Sequence, residues 1–563
     1  MKSIGMLLVA ALLASHAEAA RPEKRVQTKL SPELRKAMAG KSVEVLVRYA
    51  SAPTDDDEAR VRGRGGRALG RFGGVGAAHF TVDGRDLAGL EADPRVLAVA
   101  PVRQLGSHMD WTLPSIGAGT VQSSGYTGLN IGVAVIDSGV NLSADLQVAG
   151  SPVSRVVYSQ DFTGSGTVND QFGHGTHVAG VIAGNGAASS TGAKKTIKGV
   201  APAAKIINLK ALDKNGQGND AWVVAAIDRA IALKATYNIR VINLSLGRAV
   251  FDSSWNDPLD WAVERAYASG IVVVVSAGNQ GRNNSAGNQG YGMIASPGND
   301  PYVITVGAVR TLLSTSRADD SVTTYSSKGP TLIDQYLKPD IIAPGNLIAS
   351  LRATGGTIDT TYPATALPTS YYLTAGTTAK GAYSWLSGTS MSTPVVSGTV
   401  ALMLHKNSTL TPDVVKARLM KTASKSLANA GLNLYNGTTF NIVNDAFTVG
   451  AGYLDSNAAI NSTDTATGEA FSPPTHWDAA SASVKVDIVP SLDIWAQAAF
   501  TPTAVWGTSA MLNSSTLWKP ALAPWGSTGS AAFNVIWGDN VIWGDNVIWG
   551  DSDWAQSLAR GDR

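Results

Sequence analysis

Four short segments of the 563-residue chain carry side chains whose types and settings suit acyl transfer. Ser390 lies in Gly388-Thr389-Ser390-Met391-Ser392-Thr393-Pro394, at the start of an apolar helical run. A serine there is often only an N-cap, but the helix dipole and free N–H groups also favour negative charge developing beside its oxygen. A hydroxyl is a weak nucleophile until a base takes its proton. Of seven histidines, His174 and His177 sit in Gly173-His174-Gly175-Thr176-His177-Val178-Ala179-Gly180, where glycines permit close approach. Their spacing suggests a metal pair, but no Glu lies between them as a zinc peptidase helix requires, so His174 is read as the base. The imidazole needs an acceptor to hold its tautomer. Asp137 fits, ending the apolar run Ile131 to Ile136 just before Ser138-Gly139. The oxyanion of a tetrahedral intermediate needs fixed donors; Asn279, in Ser276-Ala277-Gly278-Asn279, is one candidate and the Ser390 N–H the other.

These residues must be held by a sheet whose strands end together. From about residue 106 to 460, apolar strand-like runs alternate with helical ones, as in βαβ units on a parallel sheet. The strand candidates are Ile131 to Ile136, Lys205 to Leu209, Val241 to Leu244, Ile271 to Val275 and Val303 to Val306; the helices are Ala221 to Leu233, Pro258 to Ala268 and Ser390 to Leu404. Chemistry in such sheets sits at the carboxyl ends of the strands. Residues 20–105 read instead as strand, helix, strand, helix, strand: Val43 to Tyr49, Asp57 to Leu69, Ala77 to Val82, Arg85 to Ala92 and Val96 to Val102. The Arg-rich stretch Arg60 to Arg71 lacks interleaved aromatics and reads as a solvated helix face, not a nucleic-acid patch.

The order Asp137, His174, Asn279, Ser390, with the motifs around them, resembles the subtilisin-like serine protease family. Supporting matches are Gly199-Val200-Ala201-Pro202, Asn243-Leu244-Ser245-Leu246-Gly247, Ser326-Ser327-Lys328-Gly329-Pro330 and Lys338-Pro339-Asp340-Ile341-Ile342-Ala343-Pro344-Gly345. One departure is Ser392, where the family usually has alanine. The resemblance implies a doubly wound, mostly parallel α/β domain over 106–462, with Asp137, His174 and Ser390 as triad and Asn279 in the oxyanion hole. It implies that the chain is made as an autoprocessed zymogen in which 20–105 is an α+β inhibitory propeptide, cut near Leu105-Gly106 to release the mature enzyme. Substrate polypeptides would lie along Ser245, Leu246, Gly247, Ser276, Ala277 and Gly278. The pocket segments Ser245 to Gly247 and Ser276 to Asn299 contain no acidic residue, which predicts broad cleavage after apolar P1 side chains. An esterase or lipase would instead show Gly-x-Ser-x-Gly with Ser, Asp, His in that order.

The two ends of the chain carry further signals. Lys2, the apolar run Met6 to Leu13 and Ala17-Glu18-Ala19 form a signal-peptide pattern over 1–19, so the protein is expected outside the cytoplasm, extracellular or periplasmic, with no transmembrane anchor. There is no cysteine, hence no disulfide framework, and the net charge of +2 points to no polyanionic partner. No cofactor is expected for the chemistry. The loop Asn185 to Lys195, where the family usually has a calcium site, offers no carboxylate, so calcium is possible, with Asp161 as one conceivable ligand, but no metal is assigned. Arg352 to Ser384 reads as a surface insertion near the cleft. Residues 463–563 hold nine of the 14 tryptophans and the thrice-repeated Asn-Val-Ile-Trp-Gly-Asp of 534–551. They read as a separate region whose exposed tryptophans could touch sugars or a cell surface.

Overall fold

The computed structural model describes residues 29–517 except 31–33, 35–41, 103, 108–113, 285–287, 312–316, 318–319, 428–430, 436–437, 479 and 482, so the leader pattern of 1–19 and the hexapeptides of 534–551 lie outside the described residues. The chain first builds a small α+β unit from β1 (Ser42–Tyr49), α1 (Asp55–Arg62), β2 (Arg67–Phe72), β3 (Ala77–Asp83), α2 (Leu87–Glu91) and β4 (Val96–Pro101). Its sheet is antiparallel, in the order β2-β3-β1-β4. The helix expected to reach Leu69 stops at Arg62, and 67–72 form an additional strand. Gly63, Gly65 and Gly66 cause the stop: glycine is a poor helix former, and Gly65 adopts φ +83°. Arg62 pairs with Glu58 at 2.7 Å, and Arg71 with Asp55 at 2.7 Å, so these arginines are matched within the unit.

After β5 (Gln104–Ser107) come β6 (Gly132–Asp137), β7 (Val156–Asp161), α3 (His174–Ala183), β8 (Lys205–Lys210), β9 (Gln217–Asn219), α4 (Asp220–Ala232), β10 (Ile239–Leu244), β11 (Leu246–Gly247), α5 (Pro258–Ala268), β12 (Val272–Ser276), β13 (Ile304–Arg310), β14 (Ser321–Val322) and β15 (Ile341–Pro344). Eight of these strands form one sheet, β14-β13-β12-β10-β6-β8-β7 with β15 beside β13, and only the β13–β14 pair is antiparallel. Strand alternation splits the core in two. Val133 and Val135 join Val178 and Ile182 of α3, while Ala134 and Ile136 join Val223 and Ile227 of α4 and Ala262 of α5. Leu46, Phe72, Val75, Ala77 and Ala98 of the α+β unit complete this second cluster. Arg265 Nε also donates to the Gly74 carbonyl at 2.9 Å.

Next come β16 (Ile348–Leu351), α6 (Thr357–Thr361), β17 (Ala366–Pro368), β18 (Lys380–Leu386), α7 (Thr389–Lys406) and α8 (Pro412–Thr422). The expected insertion is therefore structured, as a sheet of order β16-β18-β17. Composition changes near Ser462, but the body does not end there. Val484, Ile494, Trp495, Phe500, Trp506 and Leu517 share one apolar cluster with Tyr291, Leu337, Met420 and Phe447. Trp495 is 0 % exposed and meets Trp506 edge-on at 5.2 Å. Burying each such aromatic side chain is worth roughly 3 kcal/mol, so these two tryptophans serve the core and not an outer binding face.

This C-terminal covering also encloses a cation. Lys425 donates to the carbonyls of Met420 (2.8 Å), Val505 (2.6 Å) and Ala451, and burial pulls its ammonium down to about 7. The unfolded chain keeps that proton to about pH 10.4. Between those pH values the unfolded state binds more protons, so this group makes stability rise with pH from 7 toward 10. Lys425→Met should flatten that slope, measured as urea midpoints across this range.

Candidate active site

Strands β6, β10 and β12 are parallel neighbours, with β10 between the other two. Their carboxyl ends therefore bring Asp137, Ser245 and the Ser276–Asn279 turn to one edge of the sheet. Helices α3 and α7, which begin at His174 and Thr389, pack against each other there.

Asp137 and His174 meet directly: Oδ1 of Asp137 lies 2.7 Å from Nδ1 of His174, and both are buried. Asp170, which the sequence reading did not single out, supports the pair. Its carboxylate accepts from Gly173 N–H (2.7 Å), Thr176 N–H (2.8 Å) and the Ser138 hydroxyl (2.8 Å), and the same hydroxyl accepts from Gly175 N–H at 2.9 Å. Asp170 thus fastens the first turn of α3 to the residue beside Asp137. Burial raises its carboxyl pKa despite those donors. The available signal was an Asp shortly before a glycine-led helix start. Gly175 is required by close approach, since a Cβ there would lie 2.2 Å from the Gly139 carbonyl oxygen. His177 acts as a brace between elements. Its Nε2 lies 3.1 Å from the Ile348 carbonyl and 3.2 Å from that of Ser384, and burial drives its pKa down to about 3, leaving a neutral imidazole that ties α3 to β16 and β18.

Ser390 occupies the first turn of α7, wholly buried, and among the described residues its hydroxyl has no hydrogen-bond partner. Pro394 has no N–H to give the Ser390 carbonyl in the usual helical bond. The Ser245 hydroxyl donates to that carbonyl instead, at 2.5 Å, while accepting from Asn243 Nδ2 at 3.0 Å. Asn279 Oδ1 accepts from Thr389 N–H (2.8 Å) and Thr389 Oγ1 (3.2 Å), which fixes the amide and leaves Nδ2 to donate elsewhere. The Ser392 hydroxyl donates to the Ala343 carbonyl at 3.0 Å, so this departure from the family pattern is accommodated.

The cleft beside these residues holds a strand of the chain itself. β5 lies between β11 and β9, antiparallel to both, with Leu246 opposite Ser107, Gly247 opposite Gly106 and Leu105 opposite Gly218. Behind β11, Ser276 Oγ bonds the Leu246 carbonyl at 3.3 Å, Arg248 and Ser296 exchange two backbone bonds, and Ala295 N–H donates to the Ala277 carbonyl.

Residues 128–449 match the Subtilase family. The chain belongs to that family. Serine protease AprX of Bacillus subtilis (strain 168) is 36% identical over 328 residues, covering 56% of this chain and 66% of that protein. Subtilisin E of the same organism is 35% identical over 365 residues, covering 64% and 79%. In structure the chain is similar to fervidolysin from Fervidobacterium pennivorans, with TM-score 0.55 and 21% identity over 76% of this chain and 62% of that one, a likeness of fold. As a subtilase the protein is a serine-type endopeptidase.

This subtilase leaves little for calcium near 185–195. Arg155 donates to the carbonyls of Gln147 (3.0 Å), Ala204 (2.8 Å), Asp145 (2.7 Å) and Ala183 (2.6 Å), and Asp145 accepts from Ala188 N–H and the Tyr383 hydroxyl at 2.7 Å each. The carbonyl oxygens of Asp145, Gln147 and Ala183, which border this loop, are thus engaged by a guanidinium. Asp161 is spent on its own turn, accepting from Thr163, Ser165 and Gly166. Among the described residues no cluster of three or more His, Asp or Glu is placed to hold a metal ion, and no helix is long and apolar enough to cross a membrane. The insertion abuts the site: Thr357 and Ile358 N–H donate to the carbonyls of Gln171 and Phe172, just before His174, at 2.9 Å each.

Asp170→Ala should lower kcat by about 10- to 100-fold, with KM changed less than about threefold, because it shifts the α3 start without touching bound peptide. Asp170→Asn, which keeps an acceptor for one N–H, should fall between. Steady-state kinetics on a peptide anilide check the order.

Proposed function

We propose that the protein is a secreted endopeptidase, made as an autoprocessed zymogen, in which Ser390 is the nucleophile, His174 the general base and then acid, and Asp137 its orienting carboxylate. The observation that carries this is the buried His174–Asp137 pair at the sheet edge shared with Ser390, beside a cleft that accepts a strand between β11 and β9. With Nδ1–H donated to Asp137, the His174 Nε2 carries the lone pair that takes the Ser390 proton. The oxyanion of the tetrahedral intermediate is met by the Asn279 Nδ2 and the Ser390 N–H at the positive end of α7. The amine leaves with the proton from His174, and water then hydrolyses the acyl-enzyme by the same exchange.

On this reading the 20–105 unit is the inhibitory propeptide and β5 its C-terminal strand. Ser245, whose hydroxyl touches the Ser390 carbonyl, follows Leu246 in reverse order along the ladder. The bond presented to Ser390 therefore lies just past Ser107, a few residues later than Leu105-Gly106. N-terminal sequencing of the mature protein should find a start at His108, Met109 or Asp110; a start at Gly106 or earlier refutes the register. Ser390→Ala should lose about 10⁴-fold or more of peptidase activity and leave the precursor uncut. His174→Ala combined with Ser390→Ala should cost no more than either alone, because they act as one unit.

Ser276, Ala277, Gly278 and Ala295 would line an apolar P1 pocket with Ser245, Leu246 and Gly247. Arg248, next to Gly247, is buried and engaged by Asp220 (2.9 Å) and Asp257 (2.8 Å). A P1 library should favour uncharged side chains over Arg or Lys by at least about tenfold; a profile led by Arg removes this reading. Export rests on the 1–19 pattern and on the precursor design, and is tested by fractionating cells that express the full chain.

A further inference from the structure

The wall of the proposed P1 pocket does not end with residues that match the family. The connection Ala295 to Val303, between β12 and β13, has two ends with different partners. At the front, Ser296 and Arg248 exchange backbone bonds of 2.9 and 3.0 Å, which joins it to β11. At the rear, the Pro301 carbonyl accepts from Ser472 N–H at 2.9 Å and from Lys416 Nζ at 2.8 Å. The Ser472 hydroxyl donates to Asp340 Oδ1 and accepts from Lys416, both at 2.7 Å. The Tyr302 ring lies between Tyr267, at 4.6 Å, and Phe471, which meets it edge-on at 5.2 Å. The Phe471 carbonyl is in turn held by the buried Trp495 indole N–H at 2.6 Å. Residues 471 and 472 lie beyond the matched 128–449.

We propose that Phe471 and Ser472 are positioning residues for P1 selectivity: they clasp the rear of the Ala295–Val303 connection and thereby set how far its front stands from β11. With the wall held at both ends, the pocket's depth is set by the Ser472 hydroxyl, which through Asp340 and Lys416 seats the Ser472 N–H and the Lys416 ammonium on the Pro301 carbonyl, and a large P1 side chain is accepted or refused accordingly. This rests on the P1 pocket reading given above.

The test uses the full chain and two peptide anilides that differ only at P1, alanine against phenylalanine. Ser472→Ala and the milder Phe471→Leu should each change the Phe-to-Ala ratio of kcat/KM by about fivefold or more, through KM for the phenylalanine substrate, with kcat on the alanine substrate within about twofold. Ser472→Thr, which keeps the hydroxyl, should restore the ratio. Ala295→Val, in the wall itself, is the control. If Ala295→Val moves the ratio and both clasp variants leave it unchanged, or lower both substrates equally with a lower Tm, the clasp is overturned and those residues only stabilise. If Ala295→Val also leaves the ratio unchanged, the pocket reading has failed and the clasp falls with it.

Discussion

An imidazole and a carboxylate buried side by side keep their geometry only where the backbone that carries them is fastened by other bonds, since an unpaired buried polar group costs about 1–3 kcal/mol. His174 and Asp137 impose that constraint on everything around them. It explains why Asp170 is sunk beneath the start of α3, why Ser138 carries a hydroxyl that both donates and accepts, and why residues 139 and 175 are glycines where backbones come within contact and residue 173 is a glycine at φ +113°. The same demand reaches α7. Pro394 strips the Ser390 carbonyl of its helical partner, and the Ser245 hydroxyl replaces it, so the helix start and the carboxyl end of β10 are tied by one bond. The parallel sheet makes this possible by ending β6, β10 and β12 at one edge.

The body that meets this constraint is larger than the matched segment. The α+β unit contributes Leu46, Phe72, Val75, Ala77 and Ala98 to the cluster under α4 and α5, and Trp495 and Trp506 of the C-terminal covering join the cluster that holds Met420 and Phe447. Both coverings bring cost with them. Lys416 and Lys425 are enclosed, and burial lowers their pKa values to about 7 although carbonyl oxygens accept from both. Lys416 is held by Asp340 and Ser472 as well as by carbonyls, whereas Lys425 donates to carbonyls, and both ammonium groups contribute to the rise of stability between about pH 7 and 10.

Much of this was legible from residue order because the signals were local and strong. Apolar runs such as Ile131 to Ile136 could only be buried strands, and the glycine-flanked His174 and Ser390 motifs announce their own helix starts. What escaped notice depended on tertiary contact. β7 (Val156–Asp161) carries Tyr158, Ser159 and Gln160 and shows no apolar period, being an edge strand that a neighbour selects. β2 followed arginines and glycines that read as the end of a helix. Asp170 looked like any loop aspartate until Ser138, 32 residues earlier in the chain, was seen to point at it. The tryptophans after Ser462 read as exposed because composition says nothing about partners: Trp495 is buried by Ala417, Met420 and Phe447, residues far upstream.

Ser390 and His174 are 0 % exposed and Asp137 1 %, so no external polypeptide reaches them while β5 fills the cleft. On the proposed reading, cutting the chain past Ser107 does not by itself open the site. β5 is held by its pairs to Leu246, Gly247 and Gln217 to Asn219, but the unit it belongs to is held independently, by an apolar face on α4 and α5 and by Arg265 on Gly74. Those contacts do not involve the bond that is cut. Cleavage removes the covalent tether and leaves the interface intact, so the first product is a bound inhibitor and the onset of activity is set by the loss of the α+β unit. On this reading that loss has to expose the apolar faces of Phe72 and Val75 on one side and of α4 on the other, which makes it slower than a ladder of a few backbone bonds would be.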